Sequence, residues 1–364
     1  MAQLELPAAP RLVLVLAAPR YDLAVIGAEL EQRLPGCAVL GCSSSGEIAG
    51  GAALRQSLVL WVLGGSGITV STGWGQRDVQ GSLRLAATAA AGCLERLERR
   101  RHTVLLLLSD GLSEDQMEVV GGAYDVAHVD VPLVGGCAGD DLVMRHTQQL
   151  HGSRVLSDAV VAAAISSDRP LGVGVSHGWT PVSEPMLVTG SQGTELLSLD
   201  DTPALDAYLD FFKPAAGLET NPQAFADFAS THPIGIRRRD KIEMRHITGC
   251  NPQQRSLTTV AEVPTGALAF LSEGDLETLL EAAETSCRAA LQSLGRCRPA
   301  GILLFDCVAR RAVFGEEQIH QETARIAASC GAVPMAGFYT YGEIARTKGA
   351  GGFHNQTLVT LAIA

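Results

Sequence analysis

Three stretches of this chain repeat one order of parts, and that repetition limits the available folds more than any other feature. Each begins with a short apolar run: RLVLVLAAP (11–19), TVLLLLSDG (103–111) and AGILLFDCV (300–308). Each run is too short for a membrane helix and rich enough in Val, Leu and Ile for a buried strand. Helix-length segments with polar interruptions follow at 21–33, 114–127 and 315–330. A second short strand led by proline comes next: LPGCAVLGC, VPLVGGCAG and VPMAGFYTY. All three then enter a glycine-rich loop that ends in acid: GCSSSGEI (41–48), GGCAGDD (135–141) and GFYTYGEI (337–344). The first and third loops share their Gly-x4-Gly-Glu-Ile framework, while the second carries Asp140 and Asp141 instead of the glutamate. Each unit closes on another strand: QSLVLWVL (56–63), SDAVVAAAI (157–165) and NQTLVTLAIA (355–364). Two units add a strand ending in Gly-Trp, GITVSTGWG (67–75) and LGVGVSHGWTP (171–181). On that alignment His177 stands where the first unit has Thr72.

Amphipathic helices lead into the second and third units. From 275 onward, Leu276, Leu279, Leu280, Ala283, Cys287, Ala290, Leu291 and Leu294 mark one helical face, and Gly295 suits its C-terminal end. Residues 82–98 read similarly. Alternating strands and helices predict an α/β fold with mixed sheets. The stretch 186–260 breaks the rhythm with PALDAYLDFF (203–212), a helix around 221–230 and THPIGIRRRD. A chain of 364 residues suggests two domains, 1–205 and 206–364. No low-complexity linker separates them, so they are expected to pack tightly.

Composition excludes several function classes. The net charge of −11 repels phosphate backbones and anionic lipid heads, arguing against nucleic acid and membrane partners. Aromatics at 5% are too few for a base-stacking surface. The basic run Arg237-Arg238-Arg239 with Lys241 is short and reads as a solvated turn or strand edge. Nine cysteines without a CxxC pair read as reduced thiols, not as disulfides or a zinc site. No secretory leader or run of ~18 apolar residues occurs, so a cytoplasmic location is expected.

The three Gly-acid loops are the leading pocket candidates. Loop amides beside Ser43, Ser44 and Ser45 can hold an anion. Glu47, Glu343, Asp140 and Asp141 could pair a ligand amine, and loops at strand ends are where α/β sheets bind ligands. Tight turns closed by capping hydrogen bonds are the alternative role. Tyr339 and Tyr341 alternate, which places both rings on one side of an extended segment, facing either a planar ligand or an interface. Arg310 offers a bidentate clamp for a carboxylate. Cys42 and Cys307 invite a thiol-enzyme reading, but the sequence implies no histidine or Asp partner for them. The Gly-Lys-Ser/Thr ending of a phosphate-binding loop is missing. A non-enzymatic chain is therefore expected.

These motifs resemble the FIST family, which pairs an N-terminal FIST domain with a FIST C domain. GCSSSGEI and VGGCAGDD resemble its first two loops. HGWTPVSEPMLVTGSQG, LDDTPALDAY and HPIGI follow in family order, and FDCVARR, GFYTYGEIAR and FHNQTLVTLAI resemble the FIST C signature. The resemblance implies a bacterial sensory module for small ligands, with amino acids suggested. One branch, the nitric-oxide-sensing proteins (NosP), binds haem b and regulates separate histidine kinases or cyclic-di-nucleotide enzymes. No kinase, cyclase or F-box segment is recognisable here, so output through a separate partner is expected. Under a haem reading His177 is the first candidate axial ligand and His354, beside Asn355, the second. No CxxCH motif for covalent haem occurs. A metabolite sensor without haem is the near alternative.

Overall fold

The computed structural model describes residues 9–77, 81–113, 115–238, 241–331, 333–347 and 351–364. Arg239 of the basic run and Glu114 of the second helix-length segment lie outside them. The first unit comprises β1 (Pro10–Ala17), α1 (Leu23–Arg33), β2 (Ala38–Ser43), the hairpin β3 (Glu47–Ala49) and β4 (Ala52–Leu54), β5 (Leu58–Gly64) and a trailing strand β6 (Ile68–Gln76). The second comprises α2 (Leu83–Ala91), β7 (His102–Ser109), α3 (Gln116–Ala127), β8 (Leu133–Cys137), the hairpin β9 (Gln149–His151) and β10 (Arg154–Leu156), β11 (Ala159–Ser167) and a trailing strand β12 (Leu171–Ser176). An insertion follows, holding the short β13 (Thr180–Pro181), β14 (Met186–Gln192), β15 (Glu195–Leu199), the short β16 (Thr202–Pro203), α4 (Ala204–Phe212) and α5 (Pro222–Ser230). It continues through β17 (Ile234–Arg238), β18 (Lys241–Arg245), β19 (Ile247–Asn251), β20 (Ser256–Thr259) and β21 (Leu268–Glu273). The third unit comprises α6 (Leu276–Gln292), β22 (Gly301–Cys307), α7 (Val308–Cys330), β23 (Met335–Thr340), the hairpin β24 (Glu343–Arg346) and β25 (Phe353–His354), and β26 (Leu358–Ile363). The fold is α/β with mixed sheets, as the alternation predicts. The third helix begins directly after β22 instead of at 315, and Gly315 (φ 65°) breaks it in two.

Each unit builds the same three-stranded centre. Its first strand pairs parallel with its second and antiparallel with its closing strand: β1 with β2 and β5, β7 with β8 and β11, β22 with β23 and β26. The hairpin is then given to a different unit. β3–β4 joins β23, β9–β10 joins β2, and β24–β25 joins β8, so the exchange closes a ring. The second and third sheets therefore run across the expected domain boundary.

Packing follows from the period-two alternation of buried strands. Leu12, Leu14 and Leu16, Leu106 and Leu108, and Leu303 and Phe305 all enter one central core shared by the three sheets. The opposite faces enter three outer cores: Val13 and Val15 with α1, Leu105 and Leu107 with α2 and α3, Ile302 and Leu304 with α6 and α7. The insertion has its own core, in which Tyr208 and Phe225 from its two helices cover Ile234, Leu257 and Leu271. Among the described residues no helix is long and apolar enough to cross a membrane.

Register corrects one sequence alignment. Thr72 lies opposite Ala163, and the residue in that place of the third sheet is Val173, opposite Leu361. His177 is therefore not the counterpart of Thr72. The shared Gly-Trp pair misleads because Trp74 lies on β6, 37% exposed, whereas Trp179 follows the end of β12 and is 3% exposed.

Candidate functional site at the strand ends of the second unit

The three Gly-acid loops meet at the centre of the ring. The Ser45 amide donates to the Tyr339 carbonyl (3.1 Å), the Tyr341 amide to Cys137 (3.2 Å) and the Gly139 amide to Ser43 (3.0 Å). A second cycle runs from Tyr339 to Gly46 (2.9 Å), from Cys137 to Gly342 (2.8 Å) and from Ser43 to Gln148 (2.9 Å). One framework glycine per loop permits this approach. A Cβ on Gly41, Gly135 or Gly337 would stand 2.3, 1.9 or 2.4 Å from the carbonyl oxygen of Val15, Leu107 or Leu304 on the parallel neighbour.

The loop acids turn inward as caps. Glu47 accepts hydrogen bonds from the Ser44 hydroxyl and from the Ser57 hydroxyl and amide. Glu343 accepts from the matching Thr340 hydroxyl and Thr357 amide. Burial raises Glu47 above the ordinary carboxylate range and Glu343 to about 8. Asp140 accepts from the Tyr341 hydroxyl and from the amides of Met144, Arg145 and His146. Burial opposes its ionisation, but these donors hold it below the usual range. Asp141 is exposed and its amide donates to the Ser45 hydroxyl (3.1 Å); the Ser43 hydroxyl accepts from the Gln148 amide (2.9 Å).

The other sequence candidates are held internally. The Arg310 guanidinium is fully buried and donates to Asp306 (3.1 Å), to Glu322 and to the carbonyls of His177 and Leu279 (3.1 and 3.0 Å). Asp306 is pushed well above its ordinary value, by burial first and Glu322 second. Cys42 and Cys307 are buried, and burial raises both thiols far above the range of a nucleophilic thiolate. Tyr339 and Tyr341 do not share a side, because β23 ends at Thr340. Tyr339 lies in the core under α7, beneath the Arg311 guanidinium (4.6 Å), whereas Tyr341 enters the core of the second unit. Asn355 is buried, and its side-chain Oδ1 has no hydrogen-bond partner among the described residues.

The two candidate histidines do not fit haem. His177 Nδ1 accepts from the Trp179 amide (3.0 Å), and its other nitrogen faces the Ile242 carbonyl. Burial, His354 and Arg310 lower its pKa to about 4. His354 Nε2 lies 3.0 Å from the Ala345 carbonyl. A Cβ on Gly178 would stand 2.6 Å from the Thr278 carbonyl, so α6 occupies the space a macrocycle would need.

The open concavity lies where β7 ends. Two adjoining hollows of about 850 and 430 Å³ share His146 and Ser157. Arg77, Asp110, Ser113, Asp115, Arg145, Thr147 and Asp158 line the larger one, and Gln76, Gln148, Arg154, Val155 and Leu156 the smaller. Asp110, the first residue after β7, is fixed by the Leu112 amide and the Thr147 hydroxyl (both 2.8 Å). Arg77 donates to Ser113 and Asp115, yet its buried Nε has no partner among the described residues. Burial works against the charge of Asp115, but Ser113, the Leu83 amide and Arg77 hold it below its ordinary value. Arg145 and His146 stand exposed on the rim.

This opening in the second unit has a local reason. Eleven residues separate β8 from β9, against three between β2 and β3 and two between β23 and β24. The extra length forms the wall of the groove. In the third unit α7 follows the strand directly. The long loop carries left-handed backbone at Asp141, Leu142 and Met144 (φ 56°, 63° and 56°). Leu142, Val143 and Met144 are 57–59% exposed. Strain and exposed apolar side chains together mark functional surfaces. Sequence reasoning missed the groove residues; the available signal was the acid directly after the second unit's apolar strand and the longer spacing behind it.

Comparison with known proteins returns two family models. The FIST N domain matches residues 11–202 and the FIST C domain residues 204–346. The chain is 24% identical over 354 residues to the uncharacterised protein Rv0628c of Mycobacterium tuberculosis, covering 92% of this chain and 85% of that protein. It is 25% identical over 341 residues to the uncharacterised protein Mb0898c of Mycobacterium bovis, covering 88% and 81%.

Proposed function

The chain belongs to the FIST family, and from that premise we propose that it senses an amino acid or a similar small polar metabolite bound in the groove of the second unit. FIST domains are associated with small-ligand sensing in signal transduction. The observation that carries the proposal is the lining of the groove. Arg145 and Arg77 share one open hollow with Asp110 and Asp158 at the carboxyl end of a parallel strand. A ligand with both a carboxylate and an ammonium finds a counter-charge for each there. The raised thiols of Cys42 and Cys307 support binding without turnover. The exposed 142–144 turn, next in the chain to the lining residues Arg145 to Gln148, is the natural route by which occupancy would be passed to a separate signalling partner.

Thermal unfolding of the full chain against the proteinogenic amino acids tests this. A ligand present at ~100 times its Kd stabilises by ~2.7 kcal/mol. Arg145→Ala and Asp158→Asn should remove that shift for the same ligand while leaving the unliganded transition in place. No shift with any amino acid, or an undiminished shift in both variants, would defeat the proposal.

A further inference from the structure

The ring leaves one position without its counterpart. In the second sheet the closing strand β11 has an outer antiparallel neighbour, β6, and in the third sheet β26 has β12. In the first sheet β5 has β1 as its sole neighbour among the described residues. Burial reports the difference. All residues of β11 and β26 are buried, whereas β5 alternates, with Leu58, Leu60, Val62 and Gly64 partly exposed. The helices agree: α2 packs on α3 and α6 on α7, while Val25 of α1 is 64% exposed.

Backbone direction defines what this edge offers. The Ala18 amide donates to Ser57, as Asp110 does to Ala159 and Cys307 to Thr357 in the other units. Antiparallel pairs alternate, so Val59, Trp61 and Leu63 bond toward β1 and the amides and carbonyls of Leu58, Leu60 and Val62 point away. In the second unit the outward carbonyl of Asp158 takes the Arg77 amide, and in the third the outward amide of Ala364 donates to Pro170. The strand LVLWVLG has no charge, proline or bulge along its outer side, the devices by which proteins keep bare edges from pairing.

We infer that β5 is the self-association surface of this protein, pairing antiparallel with β5 of a second copy into one continuous sheet. Two filled positions in the same molecule show that this place takes an antiparallel strand. A strand paired with its own copy about a twofold axis is antiparallel by symmetry, so a second copy meets that requirement with no further segment. The uncharged sequence sets no like charges opposite each other. The twofold keeps both α1 helices on one face of the joined sheet. Leu58, Leu60 and Val62 of both copies line the trough between those helices and lose their exposure there.

Light scattering and sedimentation of the full chain decide the matter. The wild type should show twice the protomer mass. Leu60→Lys and Val62→Lys, placed on partly exposed side chains, should each give the protomer mass with a cooperative melt. A monomeric wild type, open-ended aggregates, or dimers in both lysine variants would overturn the inference. Should a lysine variant fail to fold, hydrogen exchange on the wild type answers the same question. The amides of Leu58, Leu60 and Val62 should be protected at high concentration and lose protection on dilution. Fast exchange at every concentration, or protection independent of concentration, refutes a dimer edge.

Discussion

Glu343→Gln should change how the stability of this protein depends on pH. Glu343 is completely buried, accepts from Thr340 and Thr357, and titrates at about 8 because burial penalises its charge. In the unfolded chain it titrates near ~4.3. The folded state therefore holds a proton that the unfolded state releases between these values. Stability from this group is fully present below the unfolded pKa and is lost as pH rises toward 8. The slope is ~1.4 kcal/mol per pH unit, which amounts to roughly 4 kcal/mol between pH 5 and pH 8. Glutamine is neutral throughout and removes that slope. It also places an amide where one acceptor stood, so at pH 5 the variant should be weaker by ~1–3 kcal/mol. The deficit should shrink or reverse by pH 8. Urea unfolding followed by the three tryptophans gives both curves. A wild-type-minus-variant difference that stays flat within ~1 kcal/mol from pH 5 to 8 would show that Glu343 is ionised in the fold, refuting the reasoning.

Three further outcomes are expected. Gly135→Ala sets a Cβ 1.9 Å from the Leu107 carbonyl in a central strand and should cost ~3 kcal/mol or more. Gly36→Ala, in open space at φ 81°, should cost only ~1–2 kcal/mol, and paired urea midpoints compare them. Tyr341→Phe removes the hydroxyl that donates to Asp140 and accepts from the Leu142 amide (2.8 Å), at a cost of ~1–3 kcal/mol. Amide exchange over 141–146 should accelerate in that variant, and unchanged exchange would show that the hydroxyl does not hold the loop. Titration of native protein with a chromogenic disulfide at pH 8 should label exposed Cys297 first, with Cys42 and Cys307 reacting only after unfolding. Rapid loss of either buried thiol would contradict its burial.

Short-range pattern carried much of the fold. Leu12 to Ala17 and Val104 to Leu108 read as strands because buried strands need unbroken apolar runs. The face from Leu276 to Leu291 read as a helix because of its 3.6 period. The Gly-acid loops were visible as recurrent motifs, but their chemistry was not. Whether Glu47 and Glu343 face a ligand or cap their own turns depends on Ser57 and Thr357, ten and fourteen residues away. The Gly-Trp repeat misplaced His177 because a dipeptide match says nothing about where a strand ends.

What the sequence determined alone is therefore local: three strand–helix–strand units, each with a glycine where backbone must approach backbone. The tertiary structure decided which sheet each hairpin joins, that the loops close a cycle, and that the end of β7 opens onto a groove. Hairpin pairing is made by backbone amides and carbonyls that every residue carries, so side-chain identity does not name the partner. The choice is made by the shared central core. Leu14, Leu106 and Phe305 can be buried together only when the three sheets close around them, and that closure depends on residues hundreds of positions apart.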